Sequence, residues 1–157
     1  MNLFHTSPVE ITEINNTGRF SEFLFFVGGD NAEPKDAYVM TAGEHIVYAA
    51  EVDDADIIEA GRLFYHDDAE KLESIVAELA ERLEIEENDA EALIDESKSV
   101  WDMDLNVEPE DMADLSWDIQ AITARCAKAL GFKGVKVEDE QGTSYMIDAT
   151  AIEMVKA

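Results

Sequence analysis

The sequence has little cysteine, no long apolar run and few positive charges, and each shortage excludes a class of protein. A single cysteine, Cys126, stands among 157 residues, so the chain cannot close a disulfide within itself. No run of about 18 apolar residues occurs, so we expect no membrane-spanning helix. The first residues lack the basic segment and the apolar stretch of a secretory signal, which favours a cytoplasmic protein.

Metal ligands are poorly grouped as well. The three histidines lie far apart in the sequence and no second cysteine accompanies them, which argues against a zinc site. Residues 102–106 imitate the start of a calcium loop, but Val107 and Ala113 occupy positions that require glycine and glutamate. We therefore predict no metal site.

Positive charge is scarce: 11 Lys and Arg stand against 37 Asp and Glu, a formal net charge of -26. Residues 51–120 hold 25 of the acidic residues and 4 of the basic ones. Such a surface repels nucleic acid phosphates and anionic lipid, and it speeds encounter with a basic partner. We expect a basic protein surface as the partner, without direct nucleic acid or membrane contact. The alternative is that the acidity serves solubility alone.

The pattern of apolar residues predicts an α+β fold. Strands are predicted over residues 2–7, 23–27, 45–52, 134–138 and 143–148. The unbroken apolar run 23–27 is typical of a strand covered on both faces, and residues 28–34 are predicted to form a loop. Strands at both ends around a helical middle predict one sheet in which the terminal strands lie side by side, within a single domain over residues 1–157.

Four helices are predicted. Ser7 and Pro8 are typical of a short helix start after the first strand. An apolar stripe at three- and four-residue spacing predicts the next helix, through Leu72, Ile75, Val76, Leu79 and Leu83. A capping box at residues 88–91 predicts the start of another. The last helix runs from about residue 111 to 130, with Cys126 packed on its apolar face and Gly131 as a left-handed cap.

Three segments near the ends of the chain carry the chemistry: residues 4–7, 18–26 and 139–145. In this order they resemble the ADP-ribosyltransferases, which break the bond between nicotinamide and ribose in NAD. The resemblance implies NAD as substrate and an ADP-ribosyltransferase-like mixed β core formed by N- and C-terminal strands. The acidic helical part, about residues 66–108, would be an insertion in that core.

The resemblance also implies roles for single residues. The histidine that ends the first strand bonds a ribose hydroxyl in the family, the next residue clamps the carboxamide through its backbone, and an aromatic ring packs on nicotinamide. These roles fall to His5 and Thr6, followed by Ser7, and to Phe25, with Tyr38 as a second ring candidate. Arg19, the only basic residue among the first 34, is the candidate partner of the pyrophosphate.

One position departs from the family pattern. Many relatives carry a catalytic glutamate directly before the equivalent of Tyr145, and here Ser144 stands in that place. The ribose resembles an oxocarbenium ion in the transition state, so a nearby carboxylate is needed to stabilise positive charge. We expect an acid from the preceding turn to supply it, Asp139 ahead of Glu140; the other interpretation is an inactive enzyme.

A smaller group shares the whole layout. Residues 4–12, 38–43, 115–123 and 139–143 resemble the phage-encoded anti-CRISPR ADP-ribosyltransferases that act on type I-F surveillance complexes. That family modifies an asparagine in the loop of the large Cascade subunit that reads the protospacer-adjacent motif (PAM), so target DNA is no longer recognised. The resemblance implies this partner and a site of action in the host bacterial cytoplasm. Two alternatives stay open: a non-catalytic acidic decoy that covers a DNA-binding surface, and a toxin of the same fold with another acceptor.

Overall fold

A computed structural model describes residues 2–7, 23–29, 46–105, 107–139 and 142–156. Within these ranges the strands are β1 Asn2–Ser7, β2 Phe23–Gly29, β3 Ile46–Glu51, β4 Ile57–Glu59, β5 Gly134–Asp139, β6 Gly142–Asp148 and β7 Val155–Lys156. The α-helices are α1 Glu73–Leu83, α2 Glu87–Ile94 and α3 Met112–Ala129, and short 3₁₀ helices connect them. No helix in these ranges combines the length and the apolar character that crossing a bilayer requires.

The strands form one seven-stranded sheet in the order β4-β5-β6-β2-β1-β3-β7. This mixed sheet with helices confirms the α+β prediction, and strands from both ends of the chain share it. The terminal strands do not lie side by side, however, because β2 separates β1 from β6. The apolar run that begins at Phe23 is buried on both faces, and such a strand belongs in the middle of a sheet.

The two faces of the sheet carry separate cores. Alternate β2 residues Phe23 and Phe25 pack into a large cluster with the helices, together with Val135 and Met146. On the opposite face Phe26 belongs to a smaller cluster, whose other buried members are Leu3, Ala50, Val52, Tyr145 and Ile147. Successive strand residues point to opposite faces, so β2 supplies both clusters.

The helices follow the predicted apolar stripes, but one predicted helix cap is wrong. Val76, Leu79 and Leu83 are buried on α1, and Cys126 is fully buried on α3, as predicted. The predicted capping box at residues 88–91 is wrong. The helix α2 begins at Glu87 after an extended Glu86, so Asn88 already lies inside the helix and cannot cap it. The helix begins before the predicted cap because helix propensity and the burial of Ala90 and Leu93 outweigh the local cap signal.

Two glycines have specific backbone roles. Gly131 follows α3 with φ of 95°, and the amide of Phe132 donates to the carbonyl oxygen of Ala127 at 3.0 Å, so the predicted left-handed cap is confirmed. Gly28 was predicted to open a loop but lies within β2. A Cβ atom there would clash with the backbone carbonyl oxygen of Asn2, so glycine lets β1 pass close by. The helix predicted after Pro8 lies outside the described residues.

Candidate functional site

The sheet divides along β2, because the two halves of this strand pair with different neighbours. The residues from Val27 onward pair with β1, and those up to Phe26 pair with β6. The ladder between β1 and β2 ends at the pair Phe4 and Val27. His5 is the next residue of β1, so it lies where β1 and β2 stop pairing.

The side chain of His5 joins the two strands where their ladder ends. Its Nδ1 atom lies 2.6 Å from the carbonyl oxygen of Phe25, and its ring centroid lies 5.5 Å from that of Phe26. A carbonyl oxygen only accepts, so Nδ1 carries the proton and donates. The neutral ring then has a lone pair on Nε2, which can accept a hydrogen bond from a hydroxyl group.

Burial keeps this imidazole neutral. Desolvation lowers the pKa of His5 below its ordinary 6.5, and the hydrogen bond to the carbonyl oxygen of Phe25 offsets part of that effect. Near neutral pH the ring is therefore an uncharged acceptor in a half-buried setting. A sugar hydroxyl is a suitable ligand for such a group.

The acidic turn between β5 and β6 begins at Asp139. Asp139 pairs with Gly142, so two residues separate the strands. The amide of Asp148 donates to the carbonyl oxygen of Lys133 at 2.8 Å, so these two residues form a hydrogen-bonded pair of the antiparallel ladder. Hydrogen-bonded and non-hydrogen-bonded pairs alternate along such a ladder, and the pair of Glu138 with Thr143 is non-hydrogen-bonded. The amide of Glu138 therefore points away from β6, towards the outer edge of the sheet.

His5 and the acidic turn are not on neighbouring strands. Both β2 and β6 lie between β1 and β5. At about 4.8 Å per strand, the backbones of β1 and β5 are roughly 14 Å apart across the sheet. A ligand group that both bind would have to lie over β2 and β6, between these two strands.

The remaining predicted residues fall into two groups. Thr6 and Ser7 continue β1, where their backbones pair with Val47 and Ile46 of β3. Phe25 is half-buried on β2, and its ring packs against the helical core while its carbonyl oxygen accepts from His5. Arg19, Tyr38 and Glu140 lie outside the described residues.

Ser144 lies on β6 directly beyond the point where β6 stops pairing with β2. Tyr145 pairs with Phe26 in the last described pair between β2 and β6, and Ser144 is the next residue towards the turn. It lies opposite Val137 and is half-buried. The side chain at this position therefore stands where β2 leaves β6, between His5 and the acidic turn in the strand order.

An ion pair between a buried carboxylate and a half-exposed lysine lies at the other end of β6. The side chain of Asp148 is 6% exposed, and it lies 3.1 Å from Nζ of Lys128 on α3. The amide of Thr150 donates to the same carboxylate at 3.0 Å, and so does its hydroxyl group. Burial alone would raise the pKa of the Asp148 carboxyl, but these bonds outweigh burial, so its pKa lies below the ordinary value.

The acidic segment has almost no uncompensated positive charge. Each of its four basic side chains contacts a carboxylate: Arg62 with Glu59 at 3.8 Å, Lys71 with Asp68 at 3.9 Å, Arg82 with Asp118 at 2.9 Å and Lys98 with Asp89 at 3.4 Å. Exposed pairs of this kind add little stability. They do leave the excess carboxylates of residues 51–120 as a negative surface.

Comparison with known proteins decides the family. The family described as "Anti-CRISPR Type I-F ADP-ribosyltransferase AcrIF11" matches residues 1–155. The chain belongs to that family. A solved crystal structure of an anti-CRISPR protein is similar to it, with a TM-score of 0.59 and 25% sequence identity, covering 100% of this chain and 95% of the other. No curated protein sequence matches.

Membership gives this phage anti-CRISPR protein its activity. The transferase uses NAD as substrate and transfers ADP-ribose to a protein. The sheet described above is accordingly an ADP-ribosyltransferase-like fold. Two features of it had no signal in the sequence: the division of the sheet inside β2, and a contact from Glu96 to the edge of β5. The pattern of apolar residues predicts strands, but it does not predict with which neighbouring strand each half of a strand pairs.

Proposed function

We propose that His5 and the turn at Asp139 bind and activate NAD at the division of the sheet. Nε2 of His5 accepts a hydrogen bond from a ribose hydroxyl, and the protonated Nδ1 held by Phe25 carries this proposal, because it fixes the tautomer. The backbones of Thr6 and Ser7 hold the carboxamide, and Tyr38 is the candidate that packs on the nicotinamide ring, because the ring of Phe25 packs against the helical core on the face opposite Phe26 and His5. Arg19 pairs with the pyrophosphate.

The reaction breaks the bond between nicotinamide and C1′ of the ribose. Nicotinamide leaves with the electron pair, and positive charge develops on the ribose. The carboxylate of Asp139, with Glu140 as the second candidate, stabilises that charge, since Ser144 cannot. The acceptor nitrogen then bonds to C1′, and its proton passes to the solvent or to the neighbouring carboxylate.

The proposed acceptor is the large subunit of the type I-F Cascade complex. Modification of an asparagine in its PAM-reading loop would block recognition of target DNA in the host bacterial cytoplasm. A surface that binds DNA is basic, and the negative surface of residues 51–120 is complementary to it. We assign the chain one domain, residues 1–157, with the helical residues 66–108 as an insertion in it.

The docking surface is best supported at the start of α3. The acidic side chains of Glu108, Glu110 and Asp114 are exposed there, and Trp117 follows one helical turn later with 44% of its surface exposed. Tryptophan is enriched among residues that dominate binding energy in protein interfaces. A solvated acidic helix start also stabilises the helix by itself, so only a binding measurement separates the two roles.

An acidic decoy without catalysis is the second candidate function. It is favoured by the same negative surface and by the absence of glutamate at position 144. A decoy would inhibit the complex without NAD, whereas an enzyme would need NAD and would leave a covalent product.

The test is incubation of the purified protein with NAD and type I-F Cascade, followed by intact-mass spectrometry of each subunit. The enzyme proposal expects the mass of one ADP-ribose on the large subunit and its loss with Asp139→Asn. Peptide mapping then identifies the acceptor side chain. Unmodified subunits, with DNA binding still blocked in the absence of NAD, would favour the decoy. Transfer to a different protein in a whole lysate would favour the toxin.

A further inference from the structure

Glu96 has a backbone conformation that L-residues avoid. Its φ is 68°, and among the described non-glycine residues only Glu84, with φ of 56°, shares a positive value. The left-handed region brings Cβ too close to the following carbonyl oxygen, so this conformation is strained. A residue kept in this region must be held there by its surroundings.

The turn that carries Glu96 is fixed on both sides. The hydroxyl group of Thr123 lies 2.8 Å from the carbonyl oxygen of Ile94, which ties the end of α2 to α3. Oδ1 of Asp95 accepts from the amide of Ser97 at 2.9 Å, which closes the turn around Glu96. These bonds tie the turn to the helical core on one side and close it locally on the other.

The carboxylate of Glu96 reaches the edge of β5. The amide of Glu138 lies 3.2 Å from Oε1 and 3.3 Å from Oε2 of Glu96. Pairing of β4 with β5 ends at Lys136, so this amide lies beyond the stretch that β4 covers. Glu96 therefore supplies the acceptor that a neighbouring strand would otherwise provide.

We propose that Glu96 is a positioning residue for the acidic turn. The amide it binds directly precedes Asp139, so the helical insertion fixes the strand end from which Asp139 and Glu140 extend. The inference rests on the proposed function, in which one of these two acids stabilises the ribose. The reason for the strained backbone is then functional, because a relaxed turn would not aim the carboxylate at β5.

Loss of this contact would affect catalysis more than binding of NAD. A catalytic group displaced by about 1 Å can cost up to 100-fold in rate. Removal of the Glu96 carboxylate should therefore lower kcat by about 10- to 100-fold. KM for NAD should stay unchanged, because the described residues among those proposed to bind NAD lie on β1 and β2 and not on β5.

The experiment compares Glu96→Gly, Glu96→Gln and the control Glu84→Gly. Glycine relieves backbone strain at both positions, and at 96 it also removes the carboxylate that binds the amide of Glu138. Glutamine keeps an acceptor oxygen for the amide of Glu138. The readouts are kcat and KM for NAD consumption without acceptor protein, together with Tm.

We expect Glu96→Gly to lose kcat while its Tm is unchanged or higher, Glu96→Gln to keep most of kcat, and Glu84→Gly to gain Tm at normal kcat. A normal kcat in Glu96→Gly, or a loss in Glu96→Gln equal to that in Glu96→Gly, would overturn the proposal. Asp139→Asn and Glu140→Gln are measured beside them. If both stay fully active, the proposed acids are wrong; if one is inactive while Glu96→Gly is normal, only the positioning role fails.

Discussion

Nδ1 of His5 donates to the carbonyl oxygen of Phe25 over 2.6 Å, at the point where the ladder between β1 and β2 ends. The side chain thus replaces a backbone bond at the division of the sheet. It also leaves Nε2 as the ring nitrogen that can accept a hydrogen bond from a ligand.

The pH dependence of NAD consumption should reflect this imidazole. The proposed role requires neutral His5, and burial lowers its pKa below 6.5. We expect kcat/KM for NAD to be constant from pH 8 down to about 6.5 and to fall only at lower pH, where Nε2 becomes protonated. His5→Gln should lack that acidic limb at a lower overall rate. A limb centred above pH 6.5 would contradict the assignment.

A glutamate at position 144 should restore activity to a variant without Asp139. In the family pattern that the sequence resembles, many members carry a glutamate at the place of Ser144, which lies between His5 and the turn in the strand order. We expect Asp139→Asn to lose about 100-fold or more in kcat, and Ser144→Glu in that background to recover part of it. Ser144→Gln serves as the uncharged control. Equal rates for the glutamate and glutamine variants would rule out charge stabilisation from this position.

Neutralisation of the start of α3 should weaken acceptor binding only. The triple variant Glu108→Gln, Glu110→Gln and Asp114→Asn should raise KM for Cascade by about 3- to 10-fold at low salt. Hydrolysis of NAD without acceptor should be unaffected, because no NAD-binding residue is changed. High salt should remove most of the difference. If KM for Cascade stays the same at both salt concentrations, the partner docks elsewhere.

Asp148→Asn should destabilise the fold, especially above acidic pH. The carboxylate is buried against Lys128 and Thr150, so we expect a loss of about 1–3 kcal/mol in urea unfolding at pH 7. The pKa of the folded carboxyl lies below the ordinary 3.8, so its contribution is complete above that pH and disappears as pH falls through the folded pKa. The exposed Glu153→Gln should change little. A difference in stability between wild type and Asp148→Asn that does not shrink as pH falls below 3.8 would contradict this origin.

The thiol of Cys126 should be inert in the folded protein. It is fully buried, and burial raises its pKa to about 12. Since the thiolate is the reactive form, we expect labelling by a thiol reagent at pH 8 only after unfolding. The labelling rate should then rise with urea concentration, as the unfolded fraction rises. Fast labelling without denaturant would show that α3 separates from the sheet.

Local patterns predicted the elements well. The buried run at β2, the stripe on α1 and Gly131 at the end of α3 each depend on neighbours within a few residues, and each was found. The family resemblance was also confirmed. What failed depended on distant contacts: Gly28 was assigned to a loop because its tight fit against Asn2 involves β1.

The arrangement of the site was harder to predict for the same reason. The sequence placed His5 and Asp139 on neighbouring strands, yet β2 lies between β1 and β6. Strand order depends on which apolar surfaces compete for the centre of the sheet, and single-strand periodicity does not encode that. The hydrogen bond from His5 to Phe25 and the contact from Glu96 to Glu138 follow from the assembled sheet, so no motif in the chain announces them.

The double pairing of β2 has a consequence for how this fold tolerates change in length. A residue inserted or deleted between Phe25 and Val27 would exchange the upward and downward side chains on one wing of the sheet while the other wing kept its own. The pairing with β1 and the pairing with β6 would then require opposite side-chain directions from the same strand. Loops at the edge of the sheet tolerate added residues, but residues 25–27 can neither gain nor lose one.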